Sequence, residues 1–496
     1  MKHIDRRTFL KNSAAVGIGL AATNIVRGGG IVSSAKTTRD IGRDSYLLSR
    51  SIPVEDRYDI LVCGGGPSGI AAALSAARLG AKVLLIEATG CLGGMATSGL
   101  VSAFPRIGDG KNLMAGGILW EIIEKMHKRG GLGPGMEPEK YAQPPYCWIP
   151  FSAEEYKLLL DDLMIEAGVE VRFFTNLIDV DASIEDGVVN GAIIHNIDGY
   201  SFIHAKKFID CTGDATLSSM SGVECREAGR DTEGIMPASI LQYVGNIDFS
   251  TIKGGSRYLQ RAVDDGFFTQ PEYSLTGLYR AGKSYGALNA GHVFNLDALR
   301  NKSVSNGMMT GRKVAHEFFE FYKKYVPGYE NAEQLATSAL MGVRESRRIV
   351  GEYELCYNDL KTLRVFPDQI CVFRYHIDIH PYVADPNVKN TTSSKTIKKF
   401  ADGEHFGIPY SALVPKGWKN LWVAGRSIST DILANGSIRV QPVCIMMGEA
   451  AGAAAYLSLK RKADASQLNM KELITTLRNQ GANLPQPMTG INMTIK

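Results

Sequence analysis

Apolar residues in this chain gather in short runs separated by glycine-rich turns, a texture of alternating strands and helices. The clearest stretch is 58–97. Residues 58–63 (Tyr-Asp-Ile-Leu-Val-Cys) are an apolar run with β-branched members and read as a buried strand. An alanine-rich helix is expected over 70–79, stopped by Gly80, then a second strand over 81–86 that ends at Glu87. The same strand-and-turn texture returns at 151–245 and 405–462. Between these, 111–150 carries Gly116-Gly117, Gly130-Gly131 and Pro144-Pro145 around a short helix at 118–127. Residues 246–404 mix a helix at 309–325 with a strand at 369–379, and 390–399 reads as an exposed loop. No repeat of 20–50 residues is apparent.

The turn after the first strand is Gly64-Gly65-Gly66-Pro67-Ser68-Gly69, which places glycines at 64, 66 and 69 in the spacing G-x-G-x-x-G. In that pattern Gly64 permits the tight turn, Gly66 lets backbone approach a pyrophosphate, and Gly69 lets helix and strand pack closely. The N–H groups opening the helix, with its dipole, favour phosphate. Glu87 follows 18 residues after Gly69, where a carboxylate can accept hydrogen bonds from ribose hydroxyls. A lone glycine pattern is weak; strand, turn, helix, strand and acid in order point to a dinucleotide. A second glycine-rich turn, Cys91-Leu92-Gly93-Gly94-Met95-Ala96-Thr97, follows at once and suits a ligand that continues past the pyrophosphate. An ordinary surface loop is the bland reading of that turn.

Composition changes the picture at three points. The 53 glycines in 496 residues are about one in nine, above the usual ~7%, and they cluster as turns. A net charge of +4 is close to balance, with no basic block interleaved with aromatics, so nucleic acid has no support as a partner. Eight cysteines (63, 91, 147, 211, 225, 356, 371, 444) include no C-x-x-C. That spacing argues against an iron–sulfur cluster, a zinc ribbon or a close-pair redox disulfide, and no metal site is expected. Most of these cysteines lie in apolar runs and read as core.

The N-terminus stands apart. Asp5-Arg6-Arg7-Thr8-Phe9-Leu10-Lys11 precedes an apolar stretch at 14–22, a charged n-region and a short h-region. The stretch is too short for the ~20 residues of a membrane span. Residues 1–35 are expected to be a twin-arginine signal, engaging the Tat translocase, with Ser34-Ala35 one candidate cleavage point and 36–52 a linker. A disordered basic tail is the alternative. No later segment reads as a membrane span, so the mature chain is expected to be soluble and periplasmic. Twin-arginine export carries folded proteins, which favours a tightly held flavin over a dissociable nicotinamide.

From Gly93-Gly94-Met95-Ala96-Thr97 onward the chain resembles the bacterial FAD-dependent oxidoreductase family, within the wider group of fumarate reductase and heterodisulfide reductase flavoproteins. Phe208-Ile209-Asp210-Cys211-Thr212-Gly213-Asp214 resembles that group's "ATGD" turn. Further matching blocks are 343–353, 375–380, Ile408-Pro409-Tyr410, Asn420-Leu421-Trp422-Val423-Ala424-Gly425-Arg426, and 436–452. The resemblance implies an α/β fold: a Rossmann-like FAD-binding domain, discontinuous in sequence (53–110, 151–245 and 405–462), with an inserted α+β substrate or cap domain (111–150 and 246–404). Residues 463–496 form a C-terminal segment. It implies FAD contacts from Gly64, Gly66, Pro67, Ser68, Gly69, Glu87, Ala88, Gly93, Gly94, Met95, Ala96, Thr97, Leu177, Thr212, Gly213, Asp214, Gly425, Arg426 and Gln441. Arg426 departs from the Gly-Asp that many relatives carry against the ribitol. The helix after Gln441, with Pro442 in its first turn, would aim its positive end at the flavin, and Gly448, Ala450, Ala451 and Gly452 would pack beneath the ring.

Two clusters are candidates for proton and charge handling, since the flavin itself carries the hydride. Strand alternation in Tyr375-His376-Ile377-Asp378-Ile379-His380 puts His376, Asp378 and His380 on one face. His380 is the preferred acid or base near neutral pH. Arg344, Arg347 and Arg348 form the second cluster; Arg344 and Arg348, with Arg439, are candidates to hold substrate oxygens, and surface ion pairs are the bland alternative. The expected function is hydride transfer between FAD and a small polar metabolite, a sugar or a hydroxy acid, with the electron acceptor open. The alternative is an electron-transfer flavin subunit of a larger complex.

Overall fold

In the computed structural model, five strands run parallel in the order Glu170–Arg172, Val83–Ile86, Val54–Cys63, Gly199–Asp210 and Leu421–Val423. The structure describes residues 48–137, 141, 148–251, 255–271, 276–385 and 397–484. The expected leader, most of the linker, Pro144-Pro145, Cys147 and most of the 390–399 loop lie outside the described residues. The chain divides into Met1–Ile52 and Pro53–Lys496. Of the first unit only residues 48–52 are described, without regular structure; the second carries everything below.

The parallel sheet is buried on both faces, which is why its first strand ends in a continuous apolar run. Alternation splits that run between two cores. Ile60 and Val62 face a helical layer, and Leu61 and Cys63 face the opposite side. That opposite side is closed in part by an antiparallel extension: Val188–Asn196 pairs with the first half of Gly199–Asp210, and Asn176–Ser183 pairs with Val188–Asn196. The helical layer holds Pro67–Arg78, Gly117–Lys128, Ala153–Ala167, Gln441–Arg461 and Met470–Asn479.

Helix Gln441–Arg461, the return helix, lies against Pro67–Arg78. A Cβ at Gly448 would collide with the backbone of Ser68, and one at Gly452 with the carbonyl of Ala72. These glycines serve contact between two helix backbones, not packing beneath a flavin ring, and the sequence expectation is corrected accordingly. The return helix is long and apolar enough to cross a membrane by length and composition, and it is buried in the fold.

The inserted part is a four-stranded antiparallel sheet ordered Thr276–Arg280, Gly286–Ala290, Gln242–Gly245, Glu333–Thr337. Helix Asn301–Tyr325 covers it, with Phe318, Phe319, Phe321 and Tyr322 in their shared core. This helix begins eight residues before the expected 309. Gly307 and Gly311 depress helix propensity there, yet a Cβ at either would strike Leu296 or Ile240, so close packing overrides propensity.

Three further boundaries move. Helix Gly117–Lys128 buries Ile118, Leu119, Ile122, Ile123 and Met126 in the helical layer, so it belongs with the nucleotide unit and not with the insertion. Gln242–Gly245 joins the inserted sheet. The expected strand 369–379 ends at Phe373, because its partner Phe406–Pro409 is only four residues long.

Candidate active site

The carboxyl ends of the parallel strands open onto one cavity of about 790 Å³, the usual ligand position in such sheets. Gly64 sits at φ +97°, and a Cβ there would meet the backbone of Cys211 and Thr212 2.5–3.0 Å away. A Cβ at Gly69 would collide with the Gly64 carbonyl oxygen, whereas one at Gly66 meets nothing within 4 Å and points to open space. Two glycines therefore let the chain pack, and one leaves room for a ligand.

Glu87 accepts from Gly65 N at 2.7 Å through one oxygen and from Thr89 N and Oγ1, both at 2.8 Å, through the other. It braces the first glycine turn against the turn that follows, and with Ala88 it lines the cavity. Gly64, Gly66, Pro67, Ser68, Gly94, Met95, Leu177, Thr212, Gly213, Asp214, Gly425, Arg426 and Gln441 line it as well. Gly69, Gly93, Ala96 and Thr97 do not. Gly69 serves helix packing, Gly93 is a left-handed turn at φ +96°, Ala96 is core, and Thr97 donates internally to Leu92 O at 2.5 Å. These four support the turns that line the cavity.

Arg426 is occupied by protein. Its Nε donates to Gly213 O at 2.7 Å, Nη1 to Val343 O at 2.6 Å and Nη2 to Asp214 Oδ1 at 2.6 Å. The departure from Gly-Asp is thus a clamp that draws the Val343-Arg344 segment against the 212–214 turn. Ser346 Oγ adds a 2.6 Å bond to the same Asp214 oxygen.

The far end of the cavity is polar. Tyr375, His376, Asp378 and His380 line it with Arg344 and Arg439, although residues 374–380 pair in no sheet. His380 Nδ1 lies 2.9 Å from Nε2 of buried His292, and its Nε2 lies 3.4 Å from Asp378 Oδ2. Arg439 Nη2 donates to Asp378 Oδ2 at 3.0 Å and to its carbonyl at 2.8 Å. Burial pushes the Asp378 carboxyl up, but His380 and Arg439 outweigh it and hold Asp378 well below the usual carboxylate range. Burial, then the charge of Arg344, lowers His380 to about 3. The imidazole is therefore neutral at pH 7 and ready to accept a proton. His376 is likewise lowered, first by burial.

The arginine cluster separates. Arg344 lines the cavity and donates to the Pro237 carbonyl and to Ser239 Oγ (3.1 and 3.2 Å). Arg348, proposed from sequence as catalytic, is fully buried away from the cavity lining, on Asp231 Oδ2 at 2.5 Å and Thr430 O at 2.8 Å. Strand Arg347–Ile349 turns it to the opposite side, and it is a structural ion pair. His292 was not singled out from sequence. It follows Gly291 at the end of an inserted strand, and only folding brings it to His380.

The cavity suits a flavin nucleotide on its own features. Gly66 leaves the space for a pyrophosphate, and the first turn of the return helix faces the cavity through Gln441 and Cys444. Buried Gln441 Oε1 and Arg439 Nε, an acceptor and a donor, have no protein partner among the described residues. A ring bearing both an N–H and carbonyl oxygens would satisfy that pair.

A 48-residue segment is 46% identical to dihydrolipoyl dehydrogenase of Trypanosoma brucei brucei, covering 10% of each chain. A 42-residue segment is 57% identical to glutathione reductase of Schizosaccharomyces pombe, 8% of this chain and 9% of that one. The chain thus spans about a tenth of the length of these curated relatives. Among solved structures, a geranylgeranyl bacteriochlorophyll reductase-like protein from Thermoplasma acidophilum matches at TM-score 0.44 and 14% identity, over 86% of this chain and 85% of that one. The p-nitrophenol 4-monooxygenase of Pseudomonas putida matches at TM-score 0.42 and 12% identity, over 86% and 84%. The model of the FAD dependent oxidoreductase family matches residues 59–477, most of the chain, and this protein belongs to that family of FAD-binding enzymes.

Proposed function

We propose that this FAD-dependent oxidoreductase moves a hydride between the flavin and a small hydroxylated metabolite, a sugar or a hydroxy acid. One observation carries the reading: the glycine turns and the His380–Asp378–Arg439 cluster line a single continuous cavity. Oxidising a carbinol releases its C–H bond pair as hydride and its O–H proton, leaving a C=O. Bound FAD supplies the two-electron acceptor.

The chain's own residues handle the proton. Neutral His380 takes it, with Nδ1 facing His292 at 2.9 Å and Nε2 facing Asp378 at 3.4 Å, and the nitrogen that receives it is set by the ring's tautomer. Ionised Asp378 then stabilises the imidazolium, as a buried carboxylate does beside a general base, and Arg439 holds that carboxylate in place. Arg344 offers charge to the substrate oxygen or to a neighbouring carboxylate. In the reverse direction His380 returns the proton.

Anaerobic mixing of the flavin-loaded protein with alcohols, sugars and organic acids tests this, with bleaching of flavin absorbance by one compound class expected. His380→Gln should slow that reduction about 10²–10⁴-fold with FAD retained. Unchanged kinetics would remove His380, and exchange with a protein donor alone would favour an electron-transfer subunit. In this reading the reaction is periplasmic, and the Arg6-Arg7 pair ahead of a short apolar stretch supports that location. Replacing both arginines by lysine should hold the protein in the cytoplasm, and continued export would remove that part.

A further inference from the structure

The reaction end of the cavity has an aromatic wall that the proton chemistry does not use. Trp148, Tyr279 and Tyr375 line the cavity together. The Trp148 and Tyr279 ring centroids are 5.1 Å apart at 30°, and Trp148 meets Tyr375 edge-on at 6.3 Å. His376 extends the wall, 4.1 Å from the Tyr375 ring. Beside it, Asn289 donates through Nδ2 to Tyr279 Oη at 3.4 Å, while its Oδ1 is buried with no partner among the described residues. Asp378 and Arg344 border the same space, and both influence the Tyr279 hydroxyl electrostatically.

We propose that this wall is the seat of a sugar ring. A pyranose would lie with its C–H face on the aromatic rings and its hydroxyl edge toward Asn289, Asp378 and Arg344. The inference rests on the reading of a hydroxylated substrate given above and narrows it to a class. Each competing class leaves half of the site unanswered. A flat aromatic alcohol covers the rings but leaves Asn289 Oδ1 buried and unsatisfied, a penalty comparable to a lost hydrogen bond. A short hydroxy acid answers the polar groups and leaves the ring faces against water. An acyclic polyol has the hydroxyls but must surrender the torsional freedom that a ring has already lost. A pyranose combines a C–H face with a rim of donors and acceptors, matching rings that carry negative charge on their faces.

The test uses the full flavin-loaded chain and two readouts, tryptophan fluorescence on titration and anaerobic flavin absorbance. The probes are glucose, galactose, mannose and xylose, with glucitol, lactate and benzyl alcohol as controls. At least one aldopyranose should quench fluorescence and bleach the flavin, and should bind more tightly than glucitol. Trp148→Ala should weaken its binding about tenfold, Trp148→Phe should recover most of that loss, and Asn289→Ala should weaken it about tenfold at unchanged flavin content. Bleaching by lactate or benzyl alcohol with silence from all four sugars would overturn the sugar-ring inference and leave the hydroxylated-substrate reading standing. Silence from every compound would overturn both. A sugar that bleaches the flavin with equal affinity in Trp148→Ala would remove the wall from its recognition.

Discussion

The two ends of the cavity are built by opposite means. At the nucleotide end, Gly64, Gly66, Gly69 and Glu87 belong to one strand–helix–strand unit, and backbone does most of the work. At the reaction end, Trp148, Asn289, His292, Arg344, Asp378, His380 and Arg439 come from separate segments, and side chains do the work. Burial acts on charge in both directions. Asp378 is kept ionised by His380 and Arg439, whereas Glu449, buried in the helical layer against the start of helix Gly117–Lys128, is pushed by burial to about 8 and stays protonated at neutral pH. The difference between the two ends teaches that a backbone cradle needs glycine at fixed intervals, braced by an acid of the same unit, while a reaction site needs charges whose partners are supplied at a distance.

The strongest test of this division is Arg348. If it is structural, Arg348→Ala empties a buried site and leaves the Thr430 carbonyl without its donor, at a cost of about 3–5 kcal/mol in denaturant unfolding, with reduction kinetics of the folded fraction unchanged. A stable variant with collapsed kinetics would move Arg348 to the reaction end.

The buried titratable groups give opposite pH limbs. Glu449 has a folded pKa of about 8, above its ordinary 4.5, so its contribution is fully present below pH 4.5 and is lost as pH rises towards 8. Glu449→Gln should therefore stabilise the protein by about 3 kcal/mol at pH 7, a gain that disappears near pH 4.5. His380 is the reverse. Its folded pKa of about 3 lies below the ordinary 6.5, so stability present above pH 6.5 is lost as pH falls towards 3. Melting curves of His380→Gln should show a flattened acid limb, and a limb identical to that of the parent would contradict the burial of a neutral imidazole.

Smaller effects separate the glycines. Gly69→Ala forces a Cβ onto the Gly64 carbonyl and should cost about 2 kcal/mol together with flavin loss on dialysis. Gly66→Ala faces open space, so stability should hold within about 0.5 kcal/mol while FAD binds more weakly. Equal melting temperatures for the two variants would erase the distinction between packing and ligand glycines.

Legibility in the sequence followed this division. The nucleotide unit could be read because each of its parts acts within a few residues of the next: a strand, a glycine turn, a helix and an acid. The alternation of His376, Asp378 and His380 was legible too, and all three reach the cavity although the expected strand ends at Phe373. Arg344 and Arg348 look alike in sequence. Their fates part because a three-residue strand turns one arginine to Asp231 and leaves the other on the cavity. His292 and Trp148 carry no local signature, since His292 meets His380 88 residues away and Trp148 meets Tyr279 and Tyr375, which lie further still along the chain.

The sequence by itself determined a dinucleotide-binding α/β unit, because glycine spacing and apolar periodicity are local constraints that the backbone must obey wherever the segment lies; that the dinucleotide is FAD came from the resemblance of its sequence blocks to a family. Only the tertiary structure decided which polar residues meet. Long-range packing turned Arg426 into a clamp, joined His292 to His380, and set an aromatic wall beside them. Those pairings depend on where distant chain segments are buried together.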